Sequence, residues 1–188
     1  MKATLSAVVL SLMLALPALA AEKEVAGVKF PETTTVEGKT LKLNGAGLRK
    51  KLVFKVYAAG LYLETPTQDA AQVISSDQIK VVRMSMLRDL EKGKITEAIT
   101  DGVEKNNKAQ IAALKSRLET FNAAIPDLKK GDELTITYVP GKGTRVASKS
   151  GQEMSVEGKD FADALFGVWL GSNPVDGDLK DGMLGKED

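Results

Sequence analysis

The sequence predicts an α+β fold, an antiparallel sheet packed against a layer of helices. Three observations predict it. Apolar residues alternate with period two between residues 25 and 87 and again between 131 and 156. Two neighbouring segments between those regions carry apolar residues at helical spacing instead. The strand candidates cluster and do not alternate one by one with helices, which argues against a parallel sheet.

Val25 to Phe30 reads as a short strand ending at Pro31, and Thr33 to Val36 and Thr40 to Leu43 as two strands joined around Glu37-Gly38-Lys39. After a break at Gly45-Ala46-Gly47, Leu52 to Leu63 is the longest strand candidate. Strict alternation puts Lys55, Tyr57, Ala59, Leu61 and Leu63 on one face and Phe54, Val56, Ala58, Gly60 and Tyr62 on the other. Asp69 to Ser75 suits a short helix, and Gln78 to Leu87 returns to a strand rich in Ile, Val and Met.

Ile95, Ile99 and Val103, then Ile111, Leu114, Leu118, Phe121 and Ile125, mark two helices broken near Asn106-Asn107. Gly131-Asp132 opens a hairpin that turns at Pro140-Gly141-Lys142-Gly143, and Gln152 to Val156 adds a third strand. Asp160 starts a helix with an apolar stripe of Phe161, Leu165, Val168 and Trp169, ended by Gly171 and Pro174. A last short helix runs from Asp178 to Leu184. The expectation is six or seven strands and four or five helices, with no internal repeat.

At the N-terminus, Lys2 precedes an uncharged apolar run from Ala7 to Leu16, and Pro17-Ala18-Leu19-Ala20 follows before the charged Glu22-Lys23-Glu24. A basic start, an apolar run and a small-residue cleavage site are the three parts of an export signal. The run falls short of the about 18–20 apolar residues a membrane span needs. Cleavage is expected after Ala20, which leaves residues 21–188 as a single domain outside the cytoplasm, in the periplasm, with no stable membrane insertion.

The chain has 26 basic and 25 acidic residues, and the segment 1–20 contains one lysine and no acid. The remainder is formally neutral, which disfavours nucleic acid as a partner, because phosphate binding rests on a basic excess. With no cysteine and no histidine, disulfides, thiol nucleophiles, Ser-His-Asp triads and imidazole or thiolate zinc sites are excluded. No metal or cofactor is implied. Any chemistry falls to Arg, Lys, Tyr, Asp, Glu, Ser or Thr.

Gly45-Ala46-Gly47 and Gly141-Lys142-Gly143-Thr144 lack the further glycines of nucleotide-binding loops and read as plain turns. Asp101, Glu104 and Asp160 have no paired arrangement and read as solvated helix surface. The segment from Gly45 to Glu64 is more informative, since basic residues stand beside an aromatic strand with little acid nearby. Arg49 can offer two N–H groups to a carboxylate, and Tyr57, sharing a face with Lys55, can add a phenolic hydrogen bond. The bland alternative makes Arg49-Lys50-Lys51 a solvated turn and Tyr57 a core aromatic.

That segment also resembles the chalcone-isomerase fold family, including its exported bacterial chalcone-isomerase-like branch. Val28 to Glu64 is similar to the family's opening strands, with a Gly-x-Gly-x-Arg turn at Gly45, Gly47 and Arg49 leading into a Lys-Val-Tyr-Ala-x-Gly-x-Tyr strand from Lys55 to Tyr62. Phe161 to Gly171, with Pro174 and Asp178-Leu179-Lys180, resembles the helix and loop that close the family's cleft.

The resemblance implies an open-faced β-sandwich in which sheet and helices enclose a cleft for a flat or elongated apolar ligand. In the family's plant enzymes an arginine orients substrate oxygens, while a threonine and a tyrosine organise a water. Here Arg49 stands at the arginine position and Tyr57 at the threonine position. The connection from the arginine to the strand is shorter, and Val168 and Trp169 replace a polar-plus-methionine pair. These departures argue against chalcone cyclisation.

Arginine with tyrosine is instead the pairing of the family's fatty-acid-binding members. The implied site has Arg49, Tyr57 and Lys55 at a carboxylate and Met84, Met86, Phe166, Val168 and Trp169 along the tail, with ordinary core packing as the alternative for each apolar residue. Three functions are expected in turn. The first is a non-catalytic binding protein for a fatty acid or similar amphipathic carboxylate. The second is a lyase or isomerase with Arg49 as electrophilic stabiliser and Tyr57 as proton donor. The third is an envelope interaction module docking through Arg49-Lys50-Lys51.

Overall fold

The computed structural model describes residues 22–149 and 153–186, and the expected export signal lies outside them. A hairpin of β1 (Glu22–Val25) and β2 (Val28–Pro31) precedes a seven-stranded antiparallel sheet. Its strands lie side by side in chain order: β3 (Thr33–Val36), β4 (Lys39–Lys51), β5 (Phe54–Leu63), β6 (Lys80–Met86), β7 (Glu133–Val139), β8 (Gly143–Ser148) and β9 (Met154–Val156). Helix α1 (Ala70–Ser75) links β5 to β6, and α2 (Lys92–Asn106) and α3 (Ile111–Ala123) link β6 to β7. Helices α4 (Lys159–Leu170) and α5 (Gly177–Met183) end the chain. The α+β layout agrees with the sequence expectation.

One large core lies between sheet and helices, with Tyr57, Ala59, Leu61 and Leu63 of β5 and Met84 and Met86 of β6 facing α4. The expected stripe on α4 is nearly a full circumference. Phe161, Ala162, Leu165, Phe166, Val168 and Trp169 are all buried, because α1, α2 and α3 pack around the sides of α4 that the sheet leaves free. A helix apolar all round is what such a position requires. On the opposite face of the sheet, Phe30 of β2 covers Ala46 and Ala58, and Leu41, Tyr62, Ile79 and Val81 form a smaller cluster.

Three readings of the opening strands are corrected. Val25 to Phe30 is two strands, because Ala26 and Gly27, both at positive φ, make a tight turn between them. Gly45-Ala46-Gly47 is no break: it lies inside β4, at thirteen residues the longest strand. Leu52 does not begin a strand; it sits in the β4–β5 turn at φ 56, a region that costs a non-glycine residue roughly 1 kcal/mol or more.

Two irregularities in the β4–β5 pairing decide where the side chains at its two ends point. Leu43 pairs with Tyr62 and Gly45 with Leu61, so Asn44 is an extra residue on β4. Its side chain donates to the Met183 carbonyl at 2.9 Å and accepts from the Thr67 N–H at 2.7 Å. Arg49 pairs with Tyr57 and Lys50 with Lys55, so Val56 is extra on β5. A bulge re-aims the side chains beside it. Val56 and Tyr57 both join the helix-side core, while Lys55 is exposed. The shared face expected for Lys55 and Tyr57 assumed an unbroken alternation.

Candidate functional site

The register places Arg49, Tyr57 and Met86 in one row across β4, β5 and β6. Tyr57 is 6% exposed, and its hydroxyl accepts a hydrogen bond from Trp169 Nε1 of α4 at 3.0 Å. The phenol's own proton therefore remains free to donate. Burial pushes the Tyr57 pKa up, against the opposing pull of Arg49 and of the Trp169 hydrogen bond, so the group is a neutral donor at pH 7.

Arg49 is half-buried, with Cζ 5.4 Å from the centre of the Tyr57 ring. Its Nε is buried and has no hydrogen-bond partner among the described residues. None of the ion pairs among those residues involves Arg49. A partly desolvated guanidinium with an unmet N–H favours an anion beside it.

Asp176, absent from the residues expected at the site, closes the far side of this corner. One carboxylate oxygen caps α5 by accepting from the Leu179 N–H at 3.0 Å, and the other accepts from the Lys50 N–H at 2.9 Å. Its sequence signal was present: an aspartate at the position before a short helix is a capping signature.

The other expected site residues lie deeper in the core. Met86 adjoins Tyr57, and Met84 lies two pairs further along, opposite Ala59. Trp169 reaches Tyr57, whereas Val168 is turned to α2, where a Cβ on Gly102 would lie 2.8 Å from its Cγ1. The Phe166 ring lies 5.1 Å from the Lys80 ammonium. Met84, Met86, Phe166, Val168 and Trp169 are packed in one contiguous core. Surface basins of about 440 and 320 Å³ lie elsewhere, beside Lys105 and Ile111 and beside Gly47, Lys50 and Asp178.

Two of the three acids set aside as helix surface form ion pairs, Asp160 with Arg117 at 2.6 Å and Asp101 with Lys105 at 3.9 Å, and Glu104 is exposed. Gly141 and Gly143 are at positive φ in the β7–β8 turn.

The Tyr57–Trp169 bond yields a prediction. Tyr57→Phe leaves the indole N–H buried without an acceptor and is expected to cost about 1–2 kcal/mol. Urea unfolding followed by the emission of Trp169, the chain's single tryptophan, measures it.

Among solved structures, a fatty-acid binding protein of Arabidopsis thaliana superposes with a TM-score of 0.67 at 18% identity, covering 87% of this chain and 96% of that one. At that identity the likeness speaks for the fold. No curated protein sequence matches the chain. A family model described as chalcone isomerase-like matches residues 22–185, the whole span from β1 to the end of α5, and the chain belongs to the chalcone isomerase-like family.

Proposed function

We propose that the protein is a non-catalytic binding protein for a fatty acid or similar amphipathic carboxylate, exported by its N-terminal segment to the periplasm. The observation that carries this reading is the buried, unpaired Arg49 Nε beside a phenol with a proton to donate. A carboxylate supplies acceptors for both and neutralises the guanidinium. Membership of a family whose fold also serves a fatty-acid binding protein of Arabidopsis thaliana supports it.

The tail runs between α4 and the β5–β6 surface, past Met86 and Met84. Those side chains are in contact with their neighbours, so binding displaces core contacts. Unbranched thioethers repack at small cost. Each methylene taken from water contributes up to about 0.8 kcal/mol, so affinity rises with chain length. The lyase alternative fits less well, because burial moves the Tyr57 phenol further from the neutral pH at which a general acid works best.

Native mass spectrometry of gently purified protein is expected to show a bound long-chain acid. Arg49→Ala is expected to weaken binding of a fluorescent fatty acid by about 10- to 100-fold, the worth of charge-assisted hydrogen bonds. Equal affinity in that variant would sink the proposal.

A further inference from the structure

The β4–β5 hairpin ends in three adjacent exposed apolar side chains: Leu52 is 90% exposed, Val53 86% and Phe54 56%. Tight two-residue hairpin loops favour glycine and asparagine, which take positive φ without strain. The two preceding hairpins keep glycine at the second loop position, turning at Ala26-Gly27 and Glu37-Gly38, with Ala26 and Glu37 also at positive φ. At β4–β5 the turn is Leu52-Val53, with Leu52 at φ 56 like the first residue of the other two turns and valine where they have glycine. Three exposed apolar side chains contribute little to the core here, so the reason for the tip's composition lies outside the fold.

A ring of positive charge surrounds the tip. Lys50, Lys51, Lys55 and Arg88 are exposed, and the Arg88 Cζ lies 5.1 Å from the centre of the Phe54 ring. None of the four forms an ion pair among the described residues. Asp176 meets the backbone N–H of Lys50.

We propose that this hairpin tip docks the protein on an anionic lipid bilayer. Leu52, Val53 and Phe54 enter the boundary between headgroups and acyl chains, and Lys50, Lys51, Lys55 and Arg88 meet the phosphates. Apolar insertion with basic flanks is the recognised chemistry of peripheral membrane binding, and each basic group near such a surface adds to the attraction. The attachment is interfacial, and no described helix is long and apolar enough to cross a membrane. A protein partner would need a groove shaped to a single vertex, because the tip offers little of the area that a stable protein interface buries. A bilayer needs no such shape. Arg49 lies three residues before Leu52 on the same hairpin, so docking brings the Arg49–Tyr57 corner toward the membrane.

The test is sedimentation of the full chain with vesicles of phosphatidylglycerol and phosphatidylcholine, compared with phosphatidylcholine alone, without added fatty acid. Binding to the anionic vesicles is expected, at least tenfold stronger than to neutral ones and weakened by salt. The triple change L52S/V53S/F54S is expected to reduce it at least tenfold with no loss of melting temperature, and K51E/K55E to abolish the anionic preference. Absence of anionic vesicle binding overturns the proposal, as does a triple-serine variant that binds equally well. A tip-dependent dimer in sedimentation velocity without vesicle binding overturns it in favour of a second copy of the chain. Because no fatty acid is present, failure here leaves the carboxylate reading standing, and a failed fatty-acid titration leaves this one standing.

Discussion

Replacing Lys80 with alanine is expected to cost about 2 kcal/mol at pH 7 and about 4 kcal/mol at pH 9.5, a deficit that grows as the solution becomes more alkaline. Lys80 is 0% exposed. Its ammonium donates to the carbonyls of Val73 at 3.1 Å, Ile74 at 2.8 Å and Ser76 at 3.1 Å, which tie off the C-terminal end of α1. The rings of Tyr138 and Phe166 lie 5.1 Å away on either side, and Asp163 is 3.7 Å off. Alanine leaves the carbonyls unmet and opens a cavity.

The pH dependence comes from burial, which lowers the Lys80 pKa to about 8 against the partial support of Asp163. Below that value the folded and unfolded chains both hold the proton, so this group adds no slope. Between about 8 and the ordinary lysine value of about 10.4, the unfolded chain holds a proton that the folded chain has released. Stability then rises with pH, by roughly 2 kcal/mol at pH 9.5. The variant lacks that gain. Above about pH 10 the raised pKa values of Tyr57 and Tyr138 set the opposite slope. Urea midpoints of both proteins from pH 7 to 9.5 provide the check, and a deficit that shrinks across that window would refute the account.

The second large effect is expected at Gly45. Helix α5 lies so close to β4 that a Cβ on Gly45 would overlap the Gly182 carbonyl oxygen and stand 2.5 Å from the Gly185 nitrogen. A Cβ on Gly47 would lie 2.8 Å from the Leu179 carbonyl oxygen, and one on Gly182 would lie 2.8 Å from the Gly47 Cα. These are backbone atoms, which cannot rotate away. Gly45→Val therefore has to push α5 off the sheet, breaking the Asn44–Met183 bond and uncovering Leu179 and Met183. A loss of at least about 3 kcal/mol is expected, which in a chain of this length lowers the melting temperature by about 6–12 °C. Differential scanning calorimetry measures it. A melting temperature within 2 °C of the parent, taking about 1 kcal/mol as the smallest resolvable change, would show that α5 yields without cost.

Gly45 also shows where reading the chain in one dimension reaches its limit. Two glycines separated by one residue look like a turn, because turns are where glycine most often has a local reason to be. Here the reason is a helix arriving from more than 130 residues further along the chain, and no local pattern announces that approach. The same holds at Val56, where a single extra residue in β5 turns Lys55 out to solvent and brings Tyr57 to Trp169.

Composition and apolar spacing carry the class of fold, the order of most elements, the sheet-facing and solvent-facing periodicity of most strands, and the exclusion of thiol and imidazole chemistry. Those properties depend on composition and on short-range apolar spacing, which are complete in one dimension. It takes the folded chain to set Arg49 across from Tyr57, to bring Asp176 and Trp169 to that corner, to bury Lys80 as a cap, and to leave Leu52-Val53-Phe54 as an exposed tip. Each of these depends on strand register or on the meeting of distant segments, and both are fixed by packing between elements, which local spacing does not encode.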